Sequence, residues 1–394
     1  MKKLYTLLIL FFFTGSLFAQ IITVNKGKIR QKNFLQEIPY QKIIGVPVVQ
    51  VSINGKMYNF IFDTGAPMVC ISDKIFKELN LPVLSQKTVG SASGEHKKVK
   101  SISLPGLHLQ NMRCINTSGI VLHEESYWLE CLGVDGIIGK NVFGNSIVHF
   151  DEQNNRIIIT DNINELSLKK KNYQKMTVIR TKPLITVTMQ KGENRAVSKV
   201  IFDSGQSDFC EISISRFKDY VFDIVSEGEG RQGYGAHGLA GKQKHSLLYI
   251  QELVINGIKF NDLIVTTTYG SCSRIGAKLL EFGKTTLDYK KKRFYFEPYE
   301  NINTSELAEM PWGFSRIVQN NKMMVGIIWD KKLESQINVG DEVLIINGID
   351  LQLMNFCELF MFEVPKNETM IVELKDIHTG EIKQVEINRL KSIK

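Results

Sequence analysis

One short phrase occurs twice in this chain. Ile61-Phe62-Asp63-Thr64-Gly65 returns as Ile201-Phe202-Asp203-Ser204-Gly205. The similarity continues past the phrase. Each copy has a Cys seven residues after its Asp, Cys70 and Cys210, and then an Ile-Ser pair, Ile71-Ser72 and Ile212-Ser213. A short helix is predicted next, Asp73 to Leu79 in one copy and Ser215 to Tyr220 in the other. Farther on, each copy carries an Ile-Gly pair, Ile138-Gly139 and Ile275-Gly276. Asp151 and Asp288 then correspond, as do Phe150 with Leu287 and Arg156 with Arg293, all in one register. Self-similarity over this distance predicts two related lobes rather than a short-period solenoid.

The local signals between these landmarks are mostly those of strands. Val48 to Ile53 alternates and runs into Asn54-Gly55, a tight-turn signal, after which Tyr58 to Phe62 leads to Asp63. In the second copy, Leu184 to Met189, a turn at Gly192 and Lys199 to Phe202 lead to Asp203. Ile157 to Ile159 and Arg293 to Phe296 close the lobes as strands. Helical stretches are few and short. The expected fold class is mainly β, with two related β-barrel-like lobes.

A lone Asp-Thr-Gly is usually a turn. Two copies with the same apolar lead-in suggest a pair of carboxylates in mirrored settings. Two such groups within hydrogen-bond reach cannot both ionise easily, so they share a proton and act as base and acid together.

At these residues the chain resembles the aspartic proteases of the pepsin and retropepsin clan. Asp63-Thr64-Gly65-Ala66 fits the first motif, and Val134-Asp135-Gly136-Ile137-Ile138-Gly139 resembles the apolar-Gly element packed beneath it. At the second motif, Gln206 stands where the family usually has a small residue, and Ile275-Gly276 lacks the preceding Asp-Gly. The resemblance covers about residues 40–300. It implies a peptide-bond hydrolase with Asp63 and Asp203 as the catalytic dyad. Thr64, Gly65, Ser204 and Gly205 would support that dyad. It also implies flap hairpins over the cleft, with tips at Val89 to Gly94 and Gly233 to Gly238. Tyr234 and His237 in the second tip read as hairpin residues exposed to solvent. Residues that bind substrate are not legible.

Residues 1–19 read as a signal peptide. Met1-Lys2-Lys3 precedes an apolar run from Leu4 to Phe13, and Ser16-Leu17-Phe18-Ala19 makes a cleavage site before Gln20. The run is short for a membrane span. The expected setting is periplasmic or secreted, with no stable membrane span after signal removal. The basic segment Lys26 to Lys32 reads as a strand lead-in or as a small prosegment over an acidic cleft.

Formal charge is +8, of which Lys2 and Lys3 contribute two. The remaining basic clusters, Lys97-Lys98, Lys169-Lys170-Lys171 and Lys290 to Arg293, read as solvated turns. With no binding motif, nucleic acid is not an expected partner. His-Glu-x-x-His and paired Cys-x-x-Cys spacings are absent, as are phosphate-loop and dinucleotide fingerprints, so no metal or cofactor is expected. Six Cys in an exported chain permit disulfides, and Cys114 with Cys131 is one candidate pair. Cys70 and Cys210 read as matched core residues.

A further unit follows at about residue 305. Gly340 to Asp350 joins a Gly-Asp bend, an apolar run and an Asn347-Gly348 turn, and resembles the central strand and turn of a PDZ domain. Met323 to Trp329, Met370 to Leu374 and Val385 to Ile387 read as its other strands, and Glu358 to Phe362 as part of its helix. Gly313-Phe314 is the visible part of that family's carboxylate-binding loop. The resemblance implies an α+β domain that takes an extended peptide end; the plainer reading is a tail domain packed on the lobes.

The resulting division is 1–19 signal peptide, 20–165 first lobe, 166–300 second lobe and 305–394 PDZ-like domain. The expected activity is an exported aspartic endopeptidase acting on peptides or proteins. The alternatives are a catalytically inactive peptide-binding protein on the same fold and a scaffold working through the last domain. A dimer using only the first Asp is disfavoured, because it leaves Asp203 without a role.

Overall fold

A computed structural model of the 394-residue chain describes residues 27–391, apart from 92–93, 124–125, 127, 169–171 and 365–366. The expected signal peptide at 1–19, Lys169 to Lys171 and part of the expected first flap tip therefore lie outside the described residues. No helix among the described residues is long and apolar enough to cross a membrane.

The fold is mainly β, with few short helices. Alternation sets the inner faces. In the strand Lys182–Lys191, Pro183, Ile185, Val187 and Met189 point inward while their neighbours stay partly exposed. Asn54 and Gly55 take φ of 52° and 85°, the left-handed pair that a two-residue hairpin needs, and join Val46–Ile53 to Lys56–Phe62. The second lobe repeats this plan with Lys182–Lys191 and Asn194–Asp203.

Both lobes share a crossed arrangement at their centres. In the first, Gly136–Ile138 lies parallel to Lys56–Phe62 and antiparallel to Val69–Ile71. In the second, Arg274–Gly276 lies parallel to Asn194–Asp203 and antiparallel to Cys210–Ser213. A shared sheet joins the lobes through Ile147–Asp151 and Gly283–Asp288, which pair antiparallel. Phe150 and Leu287 are fully buried there. An aromatic row runs beneath the two Asp loops. Phe143 stacks on Phe62 at 5.2 Å, Phe62 meets Phe150 at 5.8 Å, Phe150 meets Phe202 at 6.1 Å, and Phe202 meets Phe294 at 5.8 Å. Such pairs add about 0.5–1.5 kcal/mol each beyond burial. They hold the residue before each Asp in one shared core.

Each lobe extends a hairpin. The first is Val83–Gly90 with His96–Ser103. The second is Asp223–Gly230 with Gln243–Ile255, and its tip at 231–242 folds into a smaller hairpin of Tyr234–Gly235 and Gly238–Leu239. Lys28–Ile29 pairs with Met112–Ile115, so the described part of the N-terminal basic segment is a strand lead-in.

Residues from 314 onward form a separate sheet in the order Phe314–Gln319, Lys322–Ile328, Glu342–Ile346, Thr369–Lys375, Ile382–Asn388. Its helix, Phe356–Phe360, starts at a capping box of Asn355 and Glu358. This unit packs on both lobes. Cys357 forms a disulfide with Cys131 of the first lobe. The Ser226 hydroxyl donates to the Trp329 carbonyl at 2.5 Å, and the Arg231 N–H to the Gly326 carbonyl at 3.1 Å. The disulfide corrects the expected Cys114–Cys131 pair. Cys114 is a buried free thiol on the strand Met112–Ile115, and the cysteine that reaches Cys131 is 226 residues downstream of it. Cys70 and Cys210 are buried and free, as read from the repeat.

Candidate functional site

Asp63 and Asp203 sit where the two crossed arrangements meet. Asp63 directly follows one strand and Asp203 ends another, and the residues leading into each are apolar and buried, so the backbone arrives at the interface with a fixed direction. The Asp63 N–H donates to the Ile138 carbonyl at 3.0 Å, and Asp203 lies opposite Gly276 in the parallel register. The two Ile-Gly elements thus hold the two Asp loops from beneath.

The loops interlock by reciprocal hydrogen bonds. The Thr64 hydroxyl donates to the Phe202 carbonyl at 2.8 Å and accepts from the Ser204 N–H at 3.0 Å. The Ser204 hydroxyl donates to the Phe62 carbonyl at 2.6 Å and accepts from the Thr64 N–H at 3.0 Å. Both side chains are fully buried. Each glycine that follows lies flat against the opposite acid. A Cβ on Gly65 would collide with the Asp203 carboxyl, and a Cβ on Gly205 with that of Asp63.

The two acids have unequal surroundings. Asp63 Oδ1 accepts two backbone N–H groups, from Gly65 at 2.7 Å and Ala66 at 2.8 Å. Asp203 Oδ1 accepts one, from Gly205 at 3.1 Å. The Gln206 N–H goes instead to the Asp203 main-chain carbonyl at 3.3 Å. The Gln206 side-chain amide is buried without a hydrogen-bond partner among the described residues. Burial holds the Asp63 carboxyl well above the usual carboxylate range. The neighbouring charge of Asp203 and a hydrogen bond to it act in the same direction, against the two backbone donors.

Arg274 and Glu211 belong to this site and were not read from the sequence. The Arg274 guanidinium lies 3.5 Å from Asp203 Oδ2 and donates to Glu211 Oε2 at 2.8 Å. Burial pushes the Glu211 carboxyl up to about 7, while Arg274 pulls it down. The repeat contained the signal. Arg274 pairs with Ile201 as Ile137 pairs with Ile61, so a cation occupies a position that is apolar in the first copy.

The two hairpin tips meet. His237 is 2% exposed, and its Nε2 lies 2.7 Å from the Val89 carbonyl. The Gly241 N–H donates to Glu95 Oε1 at 3.3 Å. Tyr234 and His237 are therefore not solvent-exposed hairpin residues. The third unit and the first lobe cover them, which the local sequence does not encode. No group of His, Cys, Asp or Glu among the described residues could hold a metal ion.

Residues 49–142 match an aspartyl protease family model. The matched stretch contains Asp63, Thr64, Gly65 and the Gly136–Ile138 strand. No curated protein matches the chain. Among solved structures, it is similar to conglutin gamma, a basic 7S globulin from lupine seeds. That match has a TM-score of 0.39 and 11% identity, and covers 70% of this chain and 96% of the other. It is also similar to the aspartic proteinase from Irpex lacteus, with a TM-score of 0.35 and 13% identity, over 68% of this chain and 98% of the other.

Proposed function

We propose that this chain is an exported aspartic endopeptidase, periplasmic or secreted, that hydrolyses peptide bonds with a water activated by Asp63 and Asp203. The observation that carries the reading is the interlock of Thr64 and Ser204, which sets each carboxyl against the other loop's glycine. The family match over residues 49–142 supports a protease.

A shared proton gives the pair both of its roles. The ionised carboxylate takes a proton from the bound water. The protonated one polarises the scissile carbonyl. The water adds to the carbonyl carbon, and a tetrahedral diol forms without a covalent enzyme intermediate. Collapse of the diol breaks the C–N bond as a carboxyl proton passes to the departing amine. Positioned acid–base help of this kind contributes about 10²–10⁴-fold. Substrate would lie extended between the lobes and beneath the 83–103 hairpin, pairing through its backbone. The unit from about residue 305 serves as a PDZ-like docking domain for substrate or partner, a role supported by its edge strand beside a short helix.

The test is cleavage of a peptide library from about pH 3 to pH 8, a range chosen for a shared-proton carboxyl pair. It uses protein lacking residues 1–19, with Asp63→Asn and Asp203→Asn alongside. Products from the wild type that vanish in both variants support the reading. Peptide binding without cleavage by well-folded wild type would move it to an inactive protease fold.

A further inference from the structure

The 231–242 tip touches three parts of the molecule within a few residues. Tyr234 reaches the third unit. Its hydroxyl accepts from the Val318 N–H at 3.0 Å and donates to the Val318 carbonyl at 2.6 Å. Its ring stands edge-on to Phe360 at 5.0 Å and tilted to Trp128 at 6.4 Å. The first lobe holds the next two residues. The Trp128 indole N–H donates to the Gly235 carbonyl at 3.1 Å and the Ser126 hydroxyl to that of Ala236 at 2.6 Å. His237 and Gly241 then hold the end of the first-lobe hairpin, as described above.

Val318 lies on Phe314–Gln319, an edge strand whose ladder partner is Lys322–Ile328. In an antiparallel ladder, one residue exchanges both its N–H and its C=O with the residue opposite. The Tyr234 hydroxyl satisfies the same two groups of Val318 with one oxygen. It occupies the place of one residue of an added strand. Two residues earlier on the same strand is Arg316, whose guanidinium carbon lies 5.9 Å from the Phe362 ring just past the helix Phe356–Phe360. Burial lowers Arg316 to about 10, and among the described residues it has no ion-pair partner. A cation desolvated in this way favours an incoming carboxylate.

We propose that Tyr234 is an internal ligand of the Phe314–Gln319 edge, and that an extended peptide placing a carboxylate at Arg316 displaces it, releasing the 231–242 tip and, through His237, the 83–103 hairpin over the Asp63–Asp203 pair. The Phe314–Gln319 edge and the 83–103 hairpin are then two ends of one latch. The exchange at the strand edge stands apart from catalysis. Its effect on cleavage rests on the reading given under Proposed function.

The experiment uses residues 20–394 carrying Asp63→Asn, so the probe cannot be consumed and catalysis is not read. The probe is a fluorescein-labelled pool of octapeptides built from Val, Ile, Phe and Thr around one central Glu, with a matched Gln pool. Binding is followed by anisotropy, and opening of residues 83–103 by hydrogen exchange. Tyr234→Phe keeps the ring and removes the hydroxyl. It should bind the Glu pool about tenfold more tightly, since the lost pair of hydrogen bonds is worth about 1.4 kcal/mol. Exchange at 83–103 should rise in this variant, and in the parent when the Glu pool is bound. Arg316→Gln should erase the preference for Glu over Gln. His237→Gln leaves the strand edge intact and should still tighten binding, because coupling is reciprocal. Unchanged affinity in both the Tyr234 and His237 variants, or probe binding with no change of exchange at 83–103, would overturn the latch. Equal binding of both pools would overturn the acidic ligand.

Discussion

Arg274 holds its Nε 3.5 Å from Oδ2 of Asp203 while its Nη1 donates to Glu211 at 2.8 Å. A single guanidinium thus serves two carboxyls, one of them at the centre of the site. The side chain is 8% exposed, so the pairing is largely shielded from solvent. Removing one partner of a buried, hydrogen-bonded charge pair costs about 3–5 kcal/mol, because the other charge is left uncompensated. Arg274→Met should therefore lose about that much stability in urea unfolding. Adding Glu211→Gln should return part of it by removing the stranded carboxyl. Equal stability of Arg274→Met and wild type would mean the guanidinium does not hold these acids together.

The position of Asp63 sets a pH dependence. Its folded-state affinity for a proton is raised, chiefly by burial and then by Asp203. The folded protein therefore binds this proton more tightly than the unfolded chain does. The associated stability is fully present below the ordinary carboxylate value of about 4, and is lost as pH rises through the folded value. Asp63→Asn removes this loss. Its Tm should match wild type near pH 3 and exceed it by a few degrees at pH 7, with about 2–4 °C expected for each kcal/mol gained. A variant less stable than wild type at pH 7 would contradict this ordering. In the same range, wild-type cleavage should fall as Asp63 gives up its proton.

Thr64 is tested by the difference between two small substitutions. Thr64→Ala leaves the buried Ser204 N–H and Phe202 carbonyl without their partner. Each orphaned group costs about 1–3 kcal/mol. Thr64→Ser keeps the hydroxyl and should stay near wild type in both stability and cleavage. Thr64→Ala should unfold at lower urea and lose most cleavage, since the two carboxyls are then no longer held in register. Similar behaviour of the two variants would show that the hydroxyl is not what joins the loops.

Much of this site was legible because it is built from local phrases that are repeated. The apolar lead-in, the acid and the glycine come as five adjacent residues in each copy. Asn54-Gly55 and Asn347-Gly348 marked hairpins through their left-handed φ, which few other residues accept. Less was legible where packing between units decides the outcome. His237 is buried only because the first-lobe hairpin and the third unit close around the tip. Arg274 became visible as part of the site once the strand register aligned it with Ile137. The disulfide partner of Cys131 depends on where a separate sheet docks, which spacing along the chain does not encode.

That disulfide gives the last prediction. Cys131 and Cys357 join the short helix Trp128–Cys131 of the first lobe to the helix Phe356–Phe360. A bridge closing so long a loop typically stabilises by about 2–4 kcal/mol. Of the other described cysteines, Cys70, Cys114 and Cys210 are buried and Cys272 is partly exposed. Brief alkylation of the native protein should therefore label about one thiol, and alkylation after mild reduction about three. The double variant Cys131→Ser, Cys357→Ser should lower Tm and open residues 300–313 to limited proteolysis, because the third unit then rests on noncovalent contacts alone. Mild reductant should produce the same proteolysis pattern in wild type and change nothing in the double variant. If reduction leaves proteolysis of wild type unchanged, the contacts through Ser226, Arg231 and Tyr234 suffice to hold the unit in place without the bridge.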